Sequence, residues 1–251
     1  MPSRLPTKSD FSPNLTLDII PPPSGSNPIN VLILLHGLGD TQSSFSTLAR
    51  NLNLSETACL SIRGLNPIPP IFTGSDVPAF HWGDDVLVDE RRGEIDPDAG
   101  FEMVGSVLGG GVLKALTETC GFRAREVFFL GFGQGGMAAL RVVTSKAFKG
   151  EEFGGVISIG GRLPGSEAEG GSEGKGNCRT PVLLCGGSRS SQITRSAVDA
   201  VKARFTDVEY VKWEKGDDSM PRNREEMLPL MKFLARRLRS RAGVPEGAVE
   251  V

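Results

Sequence analysis

Cysteine is scarce in this chain of 251 residues, which holds four. They are widely spaced and form no C-x-x-C pair: Cys59, Cys120, Cys178 and Cys185. Cys59 and Cys185 fall in apolar, strand-like runs, which favours buried free thiols over disulfides. This pattern predicts a reducing, cytoplasmic compartment.

Long apolar runs and an excess of one sign of charge are also missing. No apolar run approaches the roughly 20 residues that span a bilayer, so no transmembrane segment is predicted. Residues 1–10 lack the apolar core of a secretory signal. The chain has 28 Lys and Arg against 30 Asp and Glu, for a net charge of −2. Because basic and aromatic residues are not interleaved either, nucleic acid is not an expected partner.

What the chain does contain is an alternation of short apolar strands with helical patterns from residue 30 onward. This alternation is typical of an α/β fold with a mostly parallel central sheet and helices on both faces. We expect one domain over residues 30–241, preceded by an extension with an edge strand (residues 1–29) and followed by a tail (residues 242–251). Strands are predicted at 15–20, 30–35, 58–62, 127–130, 155–159, 181–185 and 208–213. Helices are predicted at 43–52, 101–119, 135–148, 194–205 and 224–241, with surface loops at 84–97 and 165–177.

The most informative segment follows the predicted strand at 127–130. It reads Gly131-Phe132-Gly133-Gln134-Gly135-Gly136 and precedes a helical pattern. A strand, a tight glycine-rich turn and a helix in this order are typical of a nucleophile elbow, whose pattern G-x-S-x-G places a serine at the tip. Gly133 occupies that tip here. Glycine adopts the positive φ of such a turn at little cost, but it provides no attacking atom.

A second segment, Leu35-His36-Gly37-Leu38-Gly39-Asp40-Thr41, follows the predicted strand at 30–35. Together with the elbow, it resembles the acyl-protein thioesterase and carboxylesterase family of α/β-hydrolases, which carries LHGLGDT and GFSQGG at these places. Phe80-His81-Trp82-Gly83-Asp84 is similar to the family's segment beside the substrate groove, and Pro181-Val-Leu-Leu-Cys-Gly-Gly187 is similar to its PVLQCHG strand. The resemblance covers about residues 30–236. It implies an α/β-hydrolase fold and no cofactor.

The resemblance also implies where a catalytic serine, aspartate and histidine would lie. The serine position falls on Gly133, and the acid position falls on or beside Ser190. The base position falls on Ser219, within one residue. The chain's two histidines, His36 and His81, lie in other segments. These positions predict a degenerate triad, and therefore a non-catalytic binding or scaffolding protein, a pseudoenzyme.

Binding groups are expected to survive such a loss. The family's oxyanion hole uses backbone N–H groups, which the resemblance places on Leu38 and Gln134. His81 and Trp82 are implied to lie beside the groove. These groups predict a fatty-acyl or carboxylate ligand, and a protein partner is the other expectation.

Three other interpretations remain open. A residual or rerouted hydrolase would act on acyl esters or thioesters through a substitute nucleophile, with these candidates: Ser188, Ser190, Ser191 and Ser219. Gly131-x-Gly133-x-x-Gly136 also matches the dinucleotide-binding pattern, although the next strand ends without the acidic residue expected for a ribose. The basic and apolar faces of the last helix would suit a membrane surface or a partner. Packing of that helix on the sheet, with its charges in solvent, is favoured.

Overall fold

The computed structural model describes residues 3–89, 93–165, 178–190 and 192–241. The main sheet of this part of the chain contains β1 (Leu17–Ile20), β2 (Asn30–Leu35), β3 (Thr57–Ile62), β4 (Val127–Phe132), β5 (Gly155–Ile159), β6 (Val182–Gly187) and β7 (Val208–Trp213). Their order in the sheet is β1-β3-β2-β4-β5-β6-β7. Neighbouring strands are parallel, except that β1 runs antiparallel to β3.

The sheet is covered on both faces, and the strand sequences explain why. Every residue of β2, β3, β5 and β6 is buried, as expected for near-continuous apolar strands in a parallel sheet. Successive side chains of a strand point to opposite faces. In β2, Val31, Ile33 and Leu35 accordingly join one apolar core, while Leu32 and Leu34 join the other.

Five longer helices of the described residues cover these faces: α1 (Gln42–Leu52), α2 (residues 102–119), α3 (Gln134–Val143), α4 (Arg195–Arg204) and α5 (Arg224–Arg237). α1 and α5 contribute to one core, and α2, α3 and α4 contribute to the other. Shorter helical turns are Lys8–Asp10, Pro70–Thr73, Ala124–Glu126 and Lys146–Phe148. Asn66–Pro67 pairs with Phe80–His81, and Val88–Asp89 pairs with Glu94–Ile95. The predicted α/β architecture is confirmed.

The winding of α2 is a feature that the sequence did not predict. A short α-helical start, Glu102–Val104, continues in wide π-type turns over Gly105–Leu113 and Ala115–Thr119. At its end, the N–H of Cys120 donates to the carbonyl of Ala115, five residues back. The run of glycines at 109–111 weakens the preference for ordinary α-helical winding.

Two predicted helix ends and one predicted loop are wrong. α3 ends at Val143 instead of residue 148, and a separate turn, Lys146–Phe148, follows it. α5 ends at Arg237 instead of residue 241, because the backbone of Arg239 exchanges hydrogen bonds with the side chain of Asn30. The segment at 84–97, predicted as a loop, contains short paired strands. The loop predicted at 165–177 lies almost wholly outside the described residues.

The carboxyl ends of the parallel strands lie along one edge of the sheet, where ligands usually bind in such folds. The loops that follow β2, β4, β5, β6 and β7 therefore meet there. They carry Leu38, Gly133, Gly160, Ser190 and Asp218, in that order. In the described part of the chain, no helix has the length and apolar character to cross a membrane.

Candidate functional site

Gly133 lies at the sharp turn between β4 and α3. Its backbone has φ 51° and ψ −119°, which residues with a side chain rarely adopt. Its N–H donates to the carbonyl of Ile159 (2.8 Å), and its carbonyl accepts from the N–H groups of Gly136 and Met137 (3.0 and 3.1 Å). A Cβ at Gly133 would meet no other atom within 4 Å. The turn thus has the geometry of an elbow, with open space at its tip.

The glycines around the tip are required by close packing. A Cβ on Gly131 would collide with the backbone of Gly135. A Cβ on Gly135 would collide with the carbonyl of Leu35, and one on Gly136 would collide with the side chain of Ser158. These contacts explain the G-x-G-x-x-G spacing by the fit of α3 against β2 and β5. The dinucleotide hypothesis gains no support from them.

His36 supports the loop after β2. Its Nδ1 lies 2.7 Å from the carbonyl of Gly37, and its Nε2 lies 2.7 Å from the N–H of Gly64. Because the amide must donate to Nε2, Nδ1 carries the proton and the ring is neutral. Burial lowers the pKa of His36, which agrees with this state. With both ring nitrogens occupied, His36 has a supporting role.

Leu38 and Gln134 carry the backbone N–H groups that the sequence assigns to an oxyanion hole. The loop containing Leu38 packs directly on the elbow, since a Cβ on Gly37 would lie 2.7 Å from the ring of Phe132. Among the described residues, neither of the two N–H groups meets a hydrogen-bond acceptor. Gln134 also begins α3, whose positive end favours negative charge or an acceptor oxygen. Their role in binding a ligand stays a prediction.

The side chain of Gln134 connects the elbow to the segment at 82–97, a contact that sequence reasoning missed. Its Oε1 accepts from the backbone N–H of Trp82 (2.7 Å), and its Nε2 donates to the carbonyl of Pro97 (3.0 Å). Trp82 is fully buried, and its indole N–H donates to the carbonyl of His36 (2.8 Å). Trp82 therefore joins the elbow to the loop after β2. Its contact with a ligand stays a prediction.

His81 lies between two residues that are tied to the candidate site. The carbonyl of Phe80 accepts from the N–H of Gly39 (2.9 Å), and the N–H of Trp82 donates to Gln134. His81 is only 2% exposed. Burial lowers its pKa, and the nearby Asp85 partly opposes that shift. The imidazole is therefore neutral near pH 7.

The Ser190 and Asp218 side chains meet where the resemblance places the acid and the base. The Ser190 hydroxyl donates to Oδ2 of Asp218 (2.5 Å) and accepts from the N–H groups of Gln192 and Ile193. Oδ1 of Asp218 accepts from the N–H of Gly187 (2.8 Å). A hydroxyl–carboxylate pair thus joins the loops after β6 and β7. Asp218 lies one residue from Ser219, within the uncertainty of the base position that the resemblance implies.

Ser219, the residue matched to the lost base, points into a local network. Its hydroxyl donates to Asp217 (2.6 Å), which also pairs with Arg222 (2.9 Å). Within the described ranges, no group of three or more His, Cys, Asp or Glu side chains is arranged to hold a metal ion. Ser191, another candidate nucleophile, lies outside those ranges, and Ser188 donates to the carbonyls of Glu214 and Lys215.

Two carboxylates, those of Asp84 and Asp98, hold the segment between β3 and α2 to other parts of the fold. Asp84 accepts from the N–H groups of Glu102 and Met103 at the start of α2 (both 2.8 Å). Asp98 forms an ion pair with Arg162 (2.7 Å), which follows β5. Asp84 belongs to the segment that the sequence resemblance identified, but its contact with α2, 18 residues further on, had no local signal. None was available for the long-range pair of Asp98.

Other predictions from the sequence can be compared with the structure. All four cysteines are buried and free, and burial raises the pKa of Cys59 and Cys185 to about 12. The basic residues at the end of α5 are paired with acids near the sheet: Arg236 with Glu209, and Arg237 with Asp207. This pairing agrees with packing of α5 on the sheet.

The parallel sheet, the helices on both faces and the glycine elbow define an α/β-hydrolase fold. A comparison with protein families matches residues 19–237 to the phospholipase/carboxylesterase family. The chain belongs to that family, which confirms the resemblance inferred from the sequence.

Two fungal proteins are similar to this chain in sequence. Uncharacterized hydrolases of Schizosaccharomyces pombe and Mycosarcoma maydis are 36% and 34% identical over 143 residues, or 54% and 56% of this chain. The matches cover 54% and 52% of those proteins, so the chain spans about half the length of the curated relatives it matches.

Among solved structures, acyl-protein thioesterase 2 of Zea mays is 21% identical with a TM-score of 0.62, over 89% of this chain and 99% of that one. A carboxylesterase of Bacillus cereus is 16% identical with a TM-score of 0.61, over 87% and 93%. At such low identity, these likenesses establish the fold alone.

Proposed function

We propose that this protein is a non-catalytic member of the family, which binds a ligand or partner at the former acyl site. The observation that carries the proposal is the elbow tip. Gly133 keeps the backbone geometry of a nucleophile position and the space in front of it, but glycine has no hydroxyl or thiol to attack an acyl carbon.

The residues at the other two positions support the same proposal. A serine hydroxyl needs a base to take its proton and an acid to orient that base. The nitrogens of His36 are both occupied by backbone groups, and the Ser190–Asp218 pair occupies the loops that would carry the acid and the base. These side chains stabilise loops and do not form a relay.

The residual donors support a binding role. The N–H groups of Leu38 and Gln134 have no acceptor among the described residues, and two such donors beside a helix start suit an acyl or carboxylate oxygen. A fatty-acyl or carboxylate ligand therefore fits this site. A protein that presents an acyl group or a carboxylate would fit the same donors.

The alternative is a residual or rerouted hydrolase of acyl esters or thioesters. Membership of a hydrolase family favours it, as do the same free backbone donors. It requires a nucleophile other than the elbow residue. Ser190 and Ser219 both donate to carboxylates, which is the contact a general base would make, although neither lies on a strand-to-helix elbow.

The first prediction separates the two functions with a fluorophosphonate probe, which labels only activated serines, and a p-nitrophenyl octanoate assay. We expect no labelling and no hydrolysis above the rate of heat-denatured protein, because Gly133 carries no nucleophile. An active carboxylesterase treated identically is the positive control. Labelling of the native protein that Ser190→Ala or Ser219→Ala removes would establish the rerouted hydrolase instead.

A further inference from the structure

A cavity of about 470 Å³ opens beside the amino ends of β4 and β5, at the opposite end of these strands from Gly133. Its lining, which we call the arginine cleft, comes from three parts of the chain: residues 123–125, residues 151–154, and Arg236 with Arg237. We infer that the arginine cleft binds a phosphate ester that also carries an ammonium group, as phosphoethanolamine does. This inference goes beyond the proposed function, because it concerns a separate site that uses no part of the elbow.

Close packing fixes the three walls of the arginine cleft relative to one another. β4 and β5 are neighbouring parallel strands, so the segments before them lie side by side. A Cβ on Gly154 would collide with the ring of Phe128 and would lie 2.7 Å from the carbonyl oxygen of Arg125. A Cβ on Gly155 would lie 2.7 Å from the ring of Phe233, which belongs to α5. The walls are therefore held by the packed core beneath them.

Four of the described lining residues are arginines, and acids outside the lining hold three of them in place. These ion pairs join Arg123 to Glu126, Arg236 to Glu209, and Arg237 to Asp207. Arg236 and Arg237 each donate to their acid through a single nitrogen. Because a guanidinium has five N–H donors, donors remain on these two arginines for a ligand.

Arg125 provides the positive charge that no acid neutralises. Its side chain is exposed in the arginine cleft and forms no ion pair within the described residues. The planar fork of a guanidinium matches the oxygens of a phosphate, and charge-assisted hydrogen bonds of this kind are stronger than neutral ones. Four guanidinium groups around one cavity therefore favour a phosphate group as the anionic part of the ligand.

Two carboxylates in the same lining require a cationic part as well. Glu151 and Glu152 are exposed and form no ion pair in the described part of the chain. They would repel a ligand that carried a phosphate alone, since like charges across an interface disfavour binding. An ammonium group on the same ligand would pair with one of these carboxylates. The lining thus matches a ligand with both charges.

The composition of the lining also predicts how the ligand is held. The volume lies in the usual range for small-molecule sites, but Ala124 and Phe153 are the apolar side chains among the lining residues described. Charge therefore provides most of the attraction, and salt should weaken it. A phosphate and an ammonium group two carbons apart occur both in free O-phosphoethanolamine and in the head group of phosphatidylethanolamine, so the test includes both sources.

The second prediction compares O-phosphoethanolamine with propyl phosphate, which has a methyl group in place of the ammonium group. In calorimetric titrations at low salt, we expect O-phosphoethanolamine to bind at least about tenfold more tightly, as expected for one charge-assisted hydrogen bond. Adding NaCl to about 0.5 M should weaken its binding. Sedimentation with phosphatidylcholine vesicles, with and without phosphatidylethanolamine, tests the lipid source. Binding of either source, the free ligand or the lipid head group, supports the inference and identifies which one the arginine cleft recognises.

Variants of the lining assign the two charges. Arg125→Ala should weaken binding of the recognised source about tenfold, and the double variant Glu151→Gln, Glu152→Gln should reduce the preference over propyl phosphate. Arg195→Ala is the matched control, because Arg195 is an exposed arginine of α4 outside the arginine cleft; it should bind like the parent.

Three results would overturn the inference: no binding of either source, equal affinity for O-phosphoethanolamine and propyl phosphate, or equal binding by the Arg125→Ala and Arg195→Ala variants. Arg125 is exposed, so its variant should fold, and a thermal melt checks this. None of these measurements involves hydrolysis or the elbow. The proposed function therefore stands or fails separately, through the first prediction.

Discussion

At the scale of single residues, Gly133 has the backbone conformation of a nucleophile elbow but no nucleophilic side chain. Its φ and ψ are retained although it presents no nucleophile. Glycine adopts this conformation with little strain, whereas a residue with a Cβ pays about 1–3 kcal/mol for it. Since no atom lies within 4 Å of the Cβ position, the cost of a substitution there would come from the backbone alone.

The third prediction tests the backbone strain at the elbow tip. Gly133→Ser and Gly133→Ala should each lower the free energy of unfolding by about 1–3 kcal/mol, and Gly133→Ser should gain no esterase activity, because no free base lies at the matched position. Urea unfolding and the p-nitrophenyl octanoate assay measure the two effects. Gly110→Ala is the matched control, since its Cβ also meets nothing within 4 Å; it should raise stability by up to about 1 kcal/mol. Unchanged stability of both Gly133 variants would show that the turn is unstrained.

At the scale of elements, the start of α2 depends on a carboxylate that precedes it by 18 residues. Phe101, at the start of α2, makes no side-chain capping bond, and Asp84 accepts from the first N–H groups in its place. This contact fixes α2 and the segment at 82–98 to each other.

The fourth prediction tests that contact. Asp84→Ala should lower the free energy of unfolding by about 1 kcal/mol, the usual cost of losing a helix cap, and should speed amide exchange at Glu102 and Met103. Asp84→Asn should recover only part of the stability, because its single side-chain oxygen can accept from one of the two N–H groups. Asp85→Ala is the neighbouring control, since among the described residues Asp85 accepts from the adjacent N–H of Val86 alone. Equal losses in the Asp84 and Asp85 variants would contradict the capping role.

Strand positions were predictable from the sequence. β2, β5 and β7 have the predicted bounds, since short runs rich in β-branched and aromatic residues and bounded by turn residues have few alternatives. Helix ends were less predictable. α5 stops at Arg237 because Asn30, 209 residues away in the chain, binds the backbone of Arg239. Local patterns contain no information about such contacts.

The candidate site also has parts that could be predicted from the sequence and parts that could not. The elbow at Gly133 could be predicted because its glycines follow one strand and precede one helix. The Ser190–Asp218 bond and the burial of His81 could not, because each depends on how separate loops meet at the edge of the sheet. Sequence matching could identify the residues at the acid and base positions, but not what those residues contact.

At the scale of the whole molecule, the first described residues are anchored on the end of α2. The N–H of Arg4 donates to the carbonyl of Cys120 (3.0 Å), and Phe11 is buried. Between them, Asp10 accepts from Arg4 (2.6 and 2.8 Å) and from the N–H of Thr7 (2.7 Å). The segment before β1 is thus part of the folded unit, and one carboxylate holds most of its polar contacts.

The fifth prediction concerns pH. The ion-paired hydrogen bonds from Arg4, and then the contacts with Thr7, hold the pKa of Asp10 well below its usual value. A carboxylate with a lowered folded-state pKa stabilises the protein fully above its unfolded-state pKa of about 4, and this contribution is lost as the pH falls below that value. Asp10→Asn should therefore lower the free energy of unfolding at pH 7 by about 1 kcal/mol, a modest cost because Arg4 is partly exposed.

The Asp10→Asn variant should also lose less stability than the parent between about pH 4 and pH 2.5. Urea unfolding across this range measures both effects, with Asp76→Asn, an exposed position, as the control that should match the parent at pH 7. Parallel pH profiles for Asp10→Asn and the parent would mean that Arg4 and Asp10 do not link the terminal segment to the fold.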